Sequence, residues 1–260
     1  MLTRAQIDHF NAFGFIELRQ LFTPEEADIM KCEAEVIFNE ASGGKPHDGN
    51  ETQSLQPFME RGAMLSGLVD DDRIYDIGVA LCGPDFVLEG TSGSLRIGDT
   101  PWHRDAPLEN PLRNTQISFY TQPLTKDTGC LRIIPGSHHM TSPDPLSVLQ
   151  RENINAGFRP FGVCPSDIPC YAFESTPGDV FVHTESLAHS SFGGNSSRHQ
   201  YSISFITNPV SEVQRSAINE VYGVAKYMLH PAESYVNSDR PRIRRMVSKL
   251  VDLGFETSKV

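Results

Sequence analysis

The chain has no excess of positive charge. Its 22 Lys and Arg face 33 Asp and Glu, a formal net charge of −11 over 260 residues. That argues against nucleic acid or an anionic membrane as the main partner. A small anionic substrate remains possible, because a local basic pocket can sit inside an acidic surface. No run of about 18 apolar residues occurs, so no membrane span is expected. The opening Met1-Leu2-Thr3-Arg4-Ala5-Gln6 has no apolar h-region, and no secretory signal is expected. The five cysteines (Cys32, Cys82, Cys130, Cys164 and Cys170) are odd in number and form no CxxC. They offer neither zinc spacing nor a disulfide framework, and reduced thiols in a cytoplasmic protein are expected. Internal repeats, low-complexity tracts and linkers are lacking too. One domain over residues 1–260 is expected, with N-terminal helices at 1–85, a β core at 86–207 and a helical tail at 208–260.

The remaining texture gives the elements. Ile7, Phe10 and Phe13 recur at helical spacing over residues 2–13, and a short strand follows at 14–18. Thr23 at the N-cap, Pro24 at the first helical position and Glu26 for a capping box start a helix expected to reach residue 38. Residues 41–54, rich in Gly and polar side chains, read as a loop. Helix returns over 64–81 with a break at 70–72. From residue 86 short β-branched and aromatic runs alternate with turn residues, at 86–88, 94–97, 115–121, 130–134, 179–183 and 198–207. Short strands at uneven spacing suggest a sandwich or barrel rather than βαβ units. In the tail, Ile243, Met246, Val247, Leu250 and Leu253 form one stripe, which either packs on the barrel or serves a homodimer.

The chemistry centres on Pro101-Trp102-His103-Arg104-Asp105. An isolated His-x-Asp is weak, since the chain holds nine histidines. It is either a structural pair or part of a metal site. In an extended segment the two side chains share a face, and imidazole with carboxylate suits iron(II). His189 lies 86 residues after His103 and can join it only from another strand; otherwise it is a packed or surface histidine. Arg198 opens an alternating strand in which Arg198, Gln200, Ser202 and Ser204 share one face. That face either meets water or lines a pocket in which Arg198 clamps a carboxylate. His138 and His139, after the Pro135-Gly136 turn, are read as turn and loop residues.

Taken in order, Trp102-His103-x-Asp105, Gly129 to Pro135-Gly136-Ser137-His138, Gly178-Asp179, His189, Asn195 and Arg198 resemble the phytanoyl-CoA dioxygenase family of iron(II)/2-oxoglutarate oxygenases. Phe10 with Gly14-Phe15 and the Thr-Pro-Glu-Glu helix start are similar too, so the resemblance spans about residues 3–207. It implies a mainly β fold with flanking helices around a double-stranded β-helix (jelly-roll, cupin-like) core. It implies His103, Asp105 and His189 as ligands of Fe(II), Arg198 as anchor of the co-substrate 2-oxoglutarate, and O2 as oxidant. It also implies Thr121, and Gln56 from the segment before the barrel, as further co-substrate contacts. Thr121 shares a strand face with Ile117 and Phe119, expected to be the interior. The spacing of nine residues from His189 to Arg198 is short for some relatives, and Gly193-Gly194 absorbs the difference. Related halogenases replace the carboxylate with a small residue, so Asp105 favours oxygen chemistry. A small-molecule substrate is expected beneath loops 41–57 and 137–160. Arg104, Arg132 and Arg159 either meet an anionic substrate or are solvated, and His183 either faces the site or packs. The rival functions are a non-catalytic jelly-roll binding protein and a cupin-type metalloenzyme that does not use 2-oxoglutarate.

Overall fold

The computed structural model of the protein describes residues 1–150, 158–194, 197–221 and 230–260. Helix α1 (Arg4–Phe13) is capped by Thr3 and ends at Gly14, in the left-handed conformation. Strand β1 (Phe15–Leu18) leads into α2 (Pro24–Ala41), where Thr23 and Glu26 form the expected capping box. After β2 (Gln53–Leu55), the helix expected at 64–81 divides where three aspartates meet. A 3-10 segment, Leu65–Asp70, is followed by Asp71, whose carboxylate caps α3 (Asp72–Cys82).

The β core then runs through β3 (Val87–Arg96), β4 (Thr100–His103), β5 (Asn114–Tyr120), β6 (Leu131–Ile133), β7 (Tyr171–Phe173), β8 (Val180–His183), β9 (His189–Ser191) and β10 (Arg198–Ile206). Among the described residues the order is β1-β8-β5-β10-β3-β2 in one sheet and β4-β9-β6-β7 in the other, with antiparallel pairing in both. This is the jelly-roll core with flanking helices. The strands expected at 86–88 and 94–97 are one strand, because β3 pairs with both β10 and β2. That pairing overrides the weak propensity of Gly90 to Gly93. Gly93 is needed there, since a Cβ would enter the ring of Phe58.

The main core lies between the helices and the outer face of the larger sheet. Phe119, Tyr201 and Phe205 meet Phe58, Met30 and Met246 there. The tail forms α4 (Glu212–Val221), α5 (Glu233–Val236) and α6 (Pro241–Asp252), with residues 222–229 outside the described residues. Ile243, Met246, Val247 and Leu250 are buried within the chain, so the tail stripe packs on the barrel. No helix among the described residues is long and apolar enough to cross a membrane.

Candidate metal centre

His103 and His189 are register partners across β4 and β9, and their rings lie 4.1 Å apart. Cross-strand partners share a face, which brings together residues far apart in the chain. Asp105 sits just beyond the end of β4, not within a strand. Its backbone N–H donates to the Glu185 carbonyl at 2.9 Å, and that bond turns its carboxylate back toward the histidines. Asp105 Oδ1 is 3.4 Å from His103 Nε2, and Oδ2 is 3.3 Å from His189 Nε2.

These separations fit one shared ion. Neighbouring ligands at about 2.1 Å from an octahedral metal stand about 3 Å apart. The remaining ring nitrogens are committed elsewhere. His103 Nδ1 is 2.8 Å from the Pro101 carbonyl, and His189 Nδ1 is 2.9 Å from that of Leu187. A proton held on Nδ1 leaves the Nε2 lone pair for a metal. Among the described residues, these three form the one group of His, Cys, Asp and Glu spaced to hold an ion. Burial opposes ionisation of Asp105, yet the imidazoles of His189 and His103 hold its carboxyl well below the usual range. For His103, the bond and charge of Asp105 outweigh burial and raise the imidazole.

The motif around residue 136 supports this centre from behind. Gly136, at φ 75°, turns the chain, and Ser137 Oγ accepts the backbone N–H of Ala188 at 2.9 Å, next to His189. His138 and His139 both turn toward the Asn11 carbonyl, away from the triad. Gly178 comes too close to the Phe22 carbonyl for any Cβ. Asp179 beside it accepts from Arg19, Gln20 and Thr176 and is structural.

The triad opens on a cavity of about 390 Å³. Its wall carries hydroxyls: Ser54 meets Ser94 at 2.8 Å, and Ser92 meets Ser202 at 2.7 Å. Gln56 and Gln200 line it as well, so the expected polar face of β10 does look inward. Thr121 does not line it. Tyr120 does, because Gln116 and Tyr120 face the cavity while Ile117, Phe119 and Thr121 lie on the opposite face, toward the helices. Thr121 sits beside Tyr201.

Arg198 is buried behind the cavity wall: it does not line the cavity itself but bonds the lining residue Ser191. Its Nη1 donates to the Gly98 carbonyl at 2.9 Å and its Nη2 to Ser191 Oγ at 3.1 Å. A Cβ on Gly129 or Gly194 would strike its guanidinium, which explains glycine at both positions. Gly98 N–H donates to the Gly194 carbonyl, and Gly193 N–H to Asp99 Oδ1, so the turn between His189 and Arg198 is pinned on both sides. Asn195 lies outside the described residues. Arg96, which the sequence did not single out, pairs with Arg198 in register and lines the cavity, with its Nε unpartnered. Neither arginine has a carboxylate partner among the described residues.

Other expected contacts lie elsewhere. Arg104 is buried on Asp144, Arg132 donates to the carbonyls of Ser166 and Lys126, and Arg159 bonds the adjacent Phe158 carbonyl. His183 packs 5.2 Å from the His189 ring, and burial followed by the charge of His189 pushes it down to about 3. Loop 41–57 reaches the cavity through Ser54 and Gln56, whereas no described residue of 137–160 lines it, and 151–157 lie outside the described residues. Two acidic residues that the sequence did not reveal, Glu89 and Glu185, also line it, and burial pushes both carboxyls up.

The sequence pattern of the phytanoyl-CoA dioxygenase (PhyH) family matches residues 10–200. No curated protein matches in sequence. Among solved structures, EvdMO1 is 22% identical with a TM-score of 0.58 over 79% of this chain, which spans 50% of that one. HygX from Streptomyces hygroscopicus, solved with nickel and 2-oxoglutarate bound, is 16% identical with a TM-score of 0.64 over 79% of this chain and 87% of that one. EctD from S. alaskensis, solved with 2-oxoglutarate and 5-hydroxyectoine, is 18% identical with a TM-score of 0.61 over 80% of this chain and 77% of that one.

Proposed function

Because the chain belongs to the phytanoyl-CoA dioxygenase family, we propose that it is an iron(II)- and 2-oxoglutarate-dependent oxygenase that hydroxylates an unactivated C–H bond of a small molecule. The observation that carries this is the convergence of His103, Asp105 and His189 on one point of a cavity that Arg96 lines and that its register partner Arg198 adjoins through Ser191, neither arginine having a carboxylate partner among the described residues. With iron(II) bound, the site would couple O2 and 2-oxoglutarate to the conversion of R–H to R–OH, releasing succinate and CO2.

The residues have separable tasks. The two imidazoles and the Asp105 carboxylate would hold the iron at the wall of the cavity, where it would supply oxygen chemistry to a substrate bound there. Arg198 holds the far carboxylate of the co-substrate, and its guanidinium, desolvated and with no carboxylate in direct contact among the described residues, is suited to receive one. Arg96 adds charge at the same end, and Tyr120 and Gln56 supply polar contacts from the wall. Asp105 fills the position that a halide would need, which favours hydroxylation. The five cysteines are all unpaired, which supports a reducing, cytoplasmic setting.

Anaerobic addition of iron(II) and then 2-oxoglutarate tests the proposal. A visible charge-transfer band is expected, followed by succinate release under air. Both should be lost in His103→Ala. A non-catalytic binding protein would give neither signal in the unmodified chain, and that result would sink the proposal.

A further inference from the structure

Resting on the oxygenase reading of this cavity, we propose that Glu89 and Glu185 bind an ammonium group of the substrate, so that the enzyme acts on small polar amines. Glu89 is only 3% exposed, yet it lines the cavity and its Oε2 has no hydrogen-bond partner. A buried acceptor without a partner is costly, and native structures keep few of them. A ligand that supplies the missing donor accounts for it.

The backbone aims this carboxylate deliberately. Ser92, Ser94 and Arg96 alternate into the cavity along β3. Continued alternation would send Glu89 toward the helices. Between Ser204 and Phe205 of β10 the register shifts, with Ser204 opposite Gly90 and Phe205 opposite Leu88. Glu89 is the extra residue of that bulge, and the bulge turns it inward. Glu185 approaches from the loop between β8 and β9. Its N–H donates to Asn114 Oδ1 at 2.9 Å, and its carbonyl accepts from Asp105 and Ala106. The loop that fixes Asp105 therefore also fixes Glu185, which ties a bound cation in position to the metal site.

The choice of an amine follows from counting donors. Glu89 and Glu185 are hydrogen-bonded to each other, which leaves Glu89 Oε2 still without a partner, and no basic side chain among the described residues accompanies them. A hydroxyl offers one donor, whereas an ammonium offers three and a compensating charge. The wall beside the pair is Gln116, Ser92 and Ser202, so there is little apolar surface for an acyl chain.

Matched probes test this by calorimetry, on metal-free protein and on protein holding iron(II) and 2-oxoglutarate under nitrogen. The probes are D-glucosamine against D-glucose and N-acetylglucosamine, and 1,4-diaminobutane against 1,4-butanediol. Amines should bind at least about tenfold tighter than their neutral counterparts. In Glu89→Gln and Glu185→Gln that ratio should fall below about threefold. Equal affinity in the unmodified protein, no measurable amine binding, or an unchanged ratio in folded variants overturns the proposal. Should the variants not fold, the neutral N-acetyl probe alone decides it in the unmodified chain. Binding of 2-oxoglutarate is measured on the same preparations. Co-substrate binding without amine preference removes only the amine assignment, whereas amine preference without co-substrate binding removes the oxygenase reading.

Discussion

Replacing Arg198 by Leu should separate stability from co-substrate binding. The guanidinium is 1% exposed and bonds only the Gly98 carbonyl and Ser191 Oγ among the described residues. Deleting it leaves those two acceptors short of a donor, at about 1–3 kcal/mol each. It also removes a buried charge that Asp99 compensates only from a distance, and whose desolvation costs several kcal/mol. The opposed terms are of similar size, so the variant should unfold within about 2 kcal/mol of the parent. Co-substrate binding has no such compensation. Two charge-assisted bonds to a carboxylate contribute about 3–4 kcal/mol, so the KM for 2-oxoglutarate should rise about 100- to 1,000-fold. Denaturant melts and succinate formation against 2-oxoglutarate concentration measure the two quantities. A KM within about threefold of the parent would refute the role of Arg198. Loss in Arg96→Leu instead would transfer the anchor to its register partner, and loss in neither would remove 2-oxoglutarate from this end of the cavity.

Gly129→Ala places a methyl against the Arg198 guanidinium at a φ of +91°, so it should weaken 2-oxoglutarate binding and lower the melting temperature together, seen by a reduced co-substrate-induced thermal shift. Asp179→Ala should cost about 2 kcal/mol in a urea melt without changing iron content, because it removes a buried carboxylate that accepts from Arg19, Gln20 and Thr176, donors that are themselves exposed and regain water. Burial would raise the Asp179 carboxyl, but those donors hold it down to about 2. Its contribution is therefore present above the unfolded value near 3.8, is lost as pH falls through about 2, and amounts to at most about 2.5 kcal/mol. Acid melts of the parent and Asp179→Asn should converge over that window. Ser137→Ala removes the acceptor of the Ala188 N–H beside His189 and should weaken iron binding about 10-fold by equilibrium dialysis, while unchanged affinity would free that turn of any role in the metal site.

The meeting of His103, Asp105 and His189 was legible because their order and spacing, taken with the other motifs, resembled a family pattern; His-x-Asp alone left a structural pair open. The polar face of β10 was legible from alternation. Alternation gives phase, however, and not direction. Along β5 nearly every residue is buried, since one face meets the helices and the other the cavity. Ile117 and Phe119 look like the interior and are core, but that core lies outside the sheet, so Thr121 goes with them and Tyr120 faces the site. Glu89 was hidden for a related reason, because a bulge changes its parity and a bulge depends on the partner strand. The pairing of Arg96 with Arg198 is a fact of register, which one strand cannot carry. Strands β4, β7 and β9, of three or four residues, are too short for any period to show.

Antiparallel pairing also explains how one cavity keeps its charges apart. β10 runs beside both β3 and β5, which sets Arg198 against Arg96, Gln200 against Ser94 and Tyr120, and Ser202 against Ser92 and Ser118. Each row is one step along the barrel. From Arg96 back to Glu89 is seven residues, about 20 Å of extended chain, with serines in every row between. His103 and His189 enter from the opposite sheet, where Ser191 bonds Arg198 and His189 lies one inward-facing step beyond it. A dicarboxylate reaching from the metal toward the arginines therefore runs away from the acidic pair. An ammonium held by that pair stays clear of both guanidinium groups. Opposite charges at opposite ends give each ligand one favourable orientation and reject the exchanged arrangement by like-charge repulsion. Specificity of this kind needs no lid, only the register of three strands and one bulge.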